Sequence, residues 1–212
     1  LHERLLARYG PLHWWPAESP FEVVIGAVLT QNTAWGNVEK AIANLRAAGV
    51  LEPGALARLP AEELAALIRP SGTYRVKAQR LKALLDWLGD DWEGRLRQGS
   101  LEQTRTSLLA VDGIGEETAD AILLYAAGRP SFVIDAYTKR VLTRVGVRPL
   151  VGTYSGYRRL FMDHLAHEPA LFNEYHAQFV QLGKDRCRAV PICMGCPLSS
   201  VCETGRAEAG PG

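Results

Sequence analysis

Along most of this chain, apolar residues recur three and four positions apart, the spacing of one helix face, and strand-like alternation is scarce. Phe21 to Leu29 is an apolar run that closes in the polar stretch Thr30-Gln31-Asn32. Val38, Ile42 and Leu45 keep helical spacing until Gly49 interrupts it. A helix starting at Pro60 carries Leu64, Leu67 and Ile68 and is ended by Pro70 and Gly72, since proline suits a first turn and glycine a last one. Leu81, Leu84, Leu85 and Leu88 mark another, stopped by Gly89. Leu101–Leu109 and Thr118–Ala127 flank a tight glycine-containing turn, and later helices are predicted near 136–146, 153–166 and 169–182. The pattern predicts an all-α fold of about nine or ten short helices, with no internal repeat or low-complexity linker. The tail 203–212, ETGRAEAGPG, is expected to be disordered.

Composition narrows the class. The chain has 212 residues, 47% of them hydrophobic, and a formal net charge of +1. That suits one large or two small soluble domains. No apolar run approaches a membrane span, and LHERLLARYGPLHWWP lacks the long apolar core of a signal peptide. A cytoplasmic, nucleoid-associated protein with no membrane partner is therefore expected. The near-neutral total conceals two basic clusters, Arg75, Lys77, Arg80 and Lys82, and Lys139, Arg140, Arg144 and Arg148. Such clusters suit phosphate contacts, and solvated helix faces equally well.

The four cysteines of the chain all fall near its C-terminus: Cys187, Cys193, Cys196 and Cys202, spaced C-x5-C-x2-C-x5-C. Four thiolates form a complete ligand set for a soft metal centre. One run with uneven gaps suits a bulky 4Fe–4S cluster better than the paired hooks of zinc sites. Zinc is the alternative cofactor, and two disulfides are a third reading that a reducing compartment disfavours.

Val111-Asp112-Gly113-Ile114-Gly115 lies between two helices. Its glycines let the backbone approach another molecule, and the following helix opens with N–H groups suited to a phosphate. An ordinary helix–helix turn reads the same way, and Asp112, Glu116, Glu117 and Asp120 would repel phosphate unless turned away. Further on, Phe132-Val133-Ile134 runs into Asp135, which opens a helix and can cap it while leaving an oxygen lobe free. Lys139, one turn on, is placed to pair with Asp135.

Helix–Gly-x-Gly–helix, an apolar run ending in aspartate and a C-terminal four-cysteine loop, in this order, resemble the endonuclease III branch of the helix-hairpin-helix DNA glycosylases. The resemblance extends from about residue 20 to residue 202, and the first cysteine gap is one residue shorter than the family pattern. It implies a two-lobed fold with a DNA-binding cleft between a helical barrel lobe and a cluster-bearing lobe. A six-helix lobe over 21–132 would carry the hairpin, and 1–20 with 133–202 the cluster loop. It implies that Asp135 is catalytic, that Gly113, Ile114 and Gly115 grip phosphates, and that Gln31 and Asn32 fill the gap left by a flipped base. Bifunctional members carry a lysine two residues beyond the second hairpin glycine, where its amine forms a Schiff base with the sugar. Here that residue is Glu117, which cannot form an imine. Asp135 alone can stabilise a cationic sugar or activate water, so a monofunctional hydrolase acting in base excision repair of double-stranded DNA is expected. Lys139 is the substitute amine to exclude.

Trp14-Trp15-Pro16, then Leu29-Thr30-Gln31-Asn32-Thr33 with Trp35, resemble the 3-methyladenine glycosylases of this branch. Trp14, Trp15 and Trp35 are read as walls of the base pocket, with Tyr137 and His13 as further lining candidates. Indole faces attract the cationic ring of an alkylated purine. Tryptophans packed in a core are the bland alternative. Lys77, Arg80, Lys184 and Arg186 are expected on DNA backbone or beside the cluster, and His2, His164, His167 and His176 on the surface or in the core. The remaining readings are a glycosylase for oxidised or mismatched pyrimidines and a non-catalytic lesion- or junction-binding protein. The family implies a monomer.

Overall fold

The computed structural model describes residues 1–208. It is all-helical among the described residues and divides into two compact units: Ala17–Arg129, and Leu1–Pro16 together with the chain from Pro130 onward. The division falls a few residues before the bounds expected from sequence.

The Ala17–Arg129 unit holds α2 (Pro20–Leu29), α3 (Trp35–Ala47), α4 (Pro53–Arg58), α5 (Ala61–Leu67), α6 (Tyr74–Leu88), α7 (Trp92–Arg97), α8 (Leu101–Leu109) and α9 (Glu116–Ala121), the last continuing as a π-turn over Ile122–Ala126. These are eight helices where six were expected; α4 and α7 are six residues each, too short to print a period. Helix α2 begins at Ser19, whose hydroxyl accepts from the Glu22 amide, with Pro20 at the first helical position. All its residues from Val23 to Leu29 are buried, because α3, α6, α9 and the π-turn pack around it. It is the central rod of this unit, which is why its sequence shows an apolar run rather than a stripe.

The other unit holds α1 (His2–Tyr9), α10 (Ala136–Val145), α11 (Tyr154–Met162), α12 (Pro169–Asp185) and α13 (Glu203–Glu208). Helices α1 and α10 both pack on α12. The core is aromatic: Phe132 stacks on Phe161 at 3.7 Å, and Phe172, Tyr175 and Phe179 close round them. Residues 203–208, expected to be disordered, form α13 instead. Glu203 there pairs with Arg148 at 2.8 Å and Arg206 N bonds Cys202 O. The rest of that predicted tail, 209–212, lies outside the described residues.

Candidate active site and nucleic-acid interface

In the α10–α12 unit, burial of the run before Asp135 fixes that residue in place. Ser131 and Phe132 are fully buried, and Val133 and Ile134 nearly so. Arg158 donates to Ser131 Oγ at 3.0 Å, and the Ile134 amide donates to Tyr154 Oη at 3.2 Å. Asp135 emerges as the N-cap of α10, its Oδ1 accepting from the Thr138 amide at 2.7 Å. Its Oδ2 faces His176 Nε2 at 3.8 Å. His176 is buried on α12, and burial lowers its pKa while Asp135 opposes the shift. The histidine read as surface or bland core thus stands beside the candidate catalytic carboxylate. Lys139 does not pair with Asp135: its ammonium lies over the Tyr154 ring at 5.6 Å.

The tryptophan segment is tied to the same helix. Glu174 on α12 accepts from the amides of Leu12 and His13 at 2.7 and 3.3 Å. The Trp14 and Trp15 rings beyond meet edge to face at 6.0 Å, both half-buried. Lys184, expected on DNA, holds its ammonium 5.4 Å over the Trp14 ring. Tyr137, expected in the pocket, packs on Gly183 under the Arg140 guanidinium. Side chains this large fill the α10–α12 contact, and a Cβ at Gly183 would lie 2.3 Å from the Tyr137 ring.

The four cysteines are free thiols, so the disulfide reading falls. Among the described residues, no group of three or more metal-binding side chains is arranged to hold a single ion. Cys187, Cys196 and Cys202 lie near enough for the first and last to disfavour ionisation of Cys196, whose pKa is raised chiefly by burial. Arg144 donates to Cys187 Sγ at 3.3 Å and to the carbonyls of Arg188 and Ala189. Arg140 donates to Cys187 O at 2.7 Å, and Cys202 Sγ donates to Arg144 O at 3.1 Å. Four thiols not joined in disulfides, with guanidinium groups on Cys187 and the carbonyls of its loop, fit an anionic thiolate-bound cluster in donor type and charge.

In the Ala17–Arg129 unit, α8 and α9 are the legs of the hairpin. Gly113 has φ 78°, and a Cβ there would meet the Arg80 side chain at 2.2 Å, so no other residue fits. Gly115 is extended and faces open space, and Ile114 between them is buried. Gln31 turns inward: its amide nitrogen donates to Gly113 O and Thr118 Oγ1, and its oxygen accepts from Arg80 at 2.6 Å. It braces the hairpin, and Asn32, exposed at φ 50°, is the outward residue of the pair. The acids sort themselves likewise. Asp120 is fully buried on a bidentate contact from Arg105, which also reaches Glu116, while Glu117 is exposed. Trp35 donates to Glu39 on its own helix at 2.9 Å.

Lys77 is a correction. It is 1% exposed and donates to Leu29 O and Ser71 O at 2.8 and 2.7 Å, capping the C-terminus of α2. It cannot reach phosphate. Burial, then the charge of Arg80, lowers its pKa to about 8. The unfolded chain therefore binds more protons between about pH 8 and 10.5, and stability due to this group rises with pH across that window. We expect Lys77→Met to cost about 1–3 kcal/mol at pH 7, to cost more as pH rises through that window, and to leave the salt dependence of DNA binding unchanged. Thermal melts and salt titrations check this. A surface role would give the reverse.

The model of the HhH-GPD superfamily of base excision DNA repair proteins matches residues 25–165. The chain belongs to this superfamily. Among relatives of this HhH-GPD protein, one from Methanocaldococcus jannaschii that bears the name of a DNA repair glycosylase is 40% identical over 95% of this chain and 94% of its own. Endonuclease III of Thermotoga maritima is 31% identical over 87% and 83%. The H. pylori 3-methyladenine DNA glycosylase bound to 1,N6-ethenoadenine superposes with TM-score 0.70 at 30% identity, covering 85% of this chain and 91% of that one. An endonuclease III–DNA complex gives 0.81 at 25% identity, covering 98% and 94%.

Sequence reasoning missed three residues of this HhH-GPD protein. His176 and Glu174 act across the fold and carry no local signal. Thr73 has φ 39° just before α6, a backbone state strained for a β-branched residue. Its only cue was the preceding Gly72.

Proposed function

We propose that the protein is a monofunctional DNA glycosylase that hydrolyses the N-glycosidic bond of alkylated purines such as 3-methyladenine, flipped out of duplex DNA. Two observations carry the monofunctional part: Asp135 is capped and fixed, and the residue at the lysine position is an exposed Glu117. Asp135 stabilises the developing sugar cation and orients the attacking water, which hydrolyses the bond without a covalent enzyme intermediate. A cationic base is a good leaving group, so no strong acid is needed opposite the carboxylate. The Trp14 face already holds the Lys184 ammonium, and a cationic purine can take the same electrostatic position. The hairpin around Gly113–Gly115 meets phosphate, its inner acids being committed to Arg105. Asn32 and Thr73, the two left-handed non-glycine residues of that unit, are read as DNA contacts, because strain of this kind clusters at functional sites. Cys187, Cys193, Cys196 and Cys202 would hold a 4Fe–4S cluster whose contribution is to fix the loop between them.

The test is free-base release from methylated duplex DNA, followed by chromatography, with strand nicks scored before and after alkali. Release of 3-methyladenine with nicks only after alkali is expected, and Lys139→Ala should leave that pattern unchanged. Nicks before alkali would overturn the monofunctional reading. Absence of release, with release from DNA carrying oxidised pyrimidines, would overturn the substrate. Trp14→Ala is expected to reduce release of 3-methyladenine by about five- to a hundredfold, the worth of one base stack at about 1–3 kcal/mol. A smaller loss on 3-methyladenine than on a neutral base would remove the cation argument.

A further inference from the structure

His176 sits where it can act on the reacting carboxylate. Asp135 Oδ1 is committed to the Thr138 amide, so Oδ2 is the oxygen left to meet a sugar cation or a water. Oδ2 is also the oxygen that faces His176 Nε2, at 3.8 Å, with only 6% of the histidine side chain and 15% of the aspartate side chain exposed. We infer that His176 is a positioning residue for Asp135, setting the dipole of a buried imidazole on α12 against the working oxygen. This rests on the reading of Asp135 as the catalytic carboxylate.

The residue type suits that task. A lysine or arginine at this place would form a full ion pair and cancel the negative charge that the sugar cation requires. A buried imidazole is kept neutral by desolvation. In the tautomer with its proton on Nε2, it points a dipole at Oδ2 and favours the ionised carboxylate without neutralising it. From α10, Asp135 is the charged group that acts on His176. From α1, the other helix packed on α12, His2 lies against Tyr175 instead. On α12 itself, Glu174 is turned to the Leu12 and His13 amides, and Lys184 to Trp14. Because α12 carries Glu174, His176 and Lys184, one helix sets both the tryptophan segment and the carboxylate.

Two measurements decide it. The first is base release as a function of pH for wild type, His176→Leu, His176→Gln and Asp135→Asn. Without the imidazole dipole the carboxylate gains its proton at higher pH, so His176→Leu should lose about tenfold on the acidic limb, one pH unit being tenfold. It should stay within about twofold of wild type on the alkaline plateau. His176→Gln, whose amide can donate, should recover most of the acidic limb. An equal loss at every pH, or a glutamine variant no better than leucine, would overturn the inference and leave a packing role. Wild-type activity in Asp135→Asn would overturn it differently, by removing the reading it rests on. The second measurement changes nothing at position 176 and needs no lesion. The ring signals of His176 are followed by NMR against pH in wild type and in Asp135→Asn. Because the carboxylate raises the histidine pKa, its midpoint should fall to lower pH in the variant; coincident curves would overturn the proposal.

Discussion

Asparagine at position 135 is expected to lower base release by about two to three orders of magnitude, the usual worth of one preorganised electrostatic contact in a transition state. The substitution is informative because it separates chemistry from folding. Asp135 Oδ1 caps α10 through the Thr138 amide, and asparagine caps helices as well as aspartate does. Melting temperature should therefore stay close to wild type, and affinity for duplex DNA should persist, since no phosphate contact is assigned to this side chain. Only the charge is lost, and with it the stabilisation of the sugar cation. Alanine would be the poorer test. It would remove the cap too, at about 1 kcal/mol, and mix a stability loss into the rate. Base release measured under single-turnover conditions, beside a binding isotherm on the same DNA, reads the two effects separately. A variant that binds and still releases base at the wild-type rate would return the aspartate to a capping role. The protein would then need another source of catalysis.

What the sequence disclosed about this site follows a physical divide. Signals contained within one turn of helix or one short loop were legible: the cysteine spacing, the Gly113–Gly115 turn and the aspartate opening α10. Each depends on neighbours along the chain. Partners across the fold were not. Asp135 and His176 are separated by α10, α11 and the first turns of α12, and Glu174 binds amides near the opposite end of the chain. Neither has a spacing that betrays it. Lys77 was a different failure, since its signal was present. It stands four residues before Leu81 and shares that buried face with Leu84 and Leu88, so the helical period places it inside. Reading it within a basic cluster obscured the period. Its neighbour Lys82 is also spent on helix ends, donating to Ala57 O and Leu59 O. Half of that cluster is therefore capping chemistry, and the exposed Arg75 and half-buried Arg80 are what remains to meet a polyanion.

Asp120→Ala is expected to be the most destabilising single change in the hairpin. Asp120 is fully buried on α9, and Arg105 on α8 donates to both its oxygens at 2.8 and 3.0 Å. The pair clasps the two legs that present Gly113, Ile114 and Gly115. Removing the carboxylate leaves a guanidinium side chain that is 9% exposed, with the partly exposed Glu116 at 3.3 Å. A broken buried pair costs about 3–5 kcal/mol, mostly the desolvation of the charge left behind. For a chain of this size each kcal/mol moves the melting temperature by about 2–4 °C, so a fall of roughly 6–20 °C is expected. The cause can be isolated, because the cost lies in the orphaned charge and not in the loss of attraction. Replacing both partners, as in Arg105→Leu with Asp120→Leu, should recover most of the loss, since a well-packed apolar pair substitutes for a buried ion pair at little net cost. A double variant no more stable than Asp120→Ala would mean that the carboxylate serves α9 in another way. The same comparison bears on DNA. If the legs are held apart by packing alone, the double variant should regain duplex affinity together with its melting temperature. If it regains stability but not affinity, the inward acids also shape the field at the hairpin, where Glu117 stands exposed.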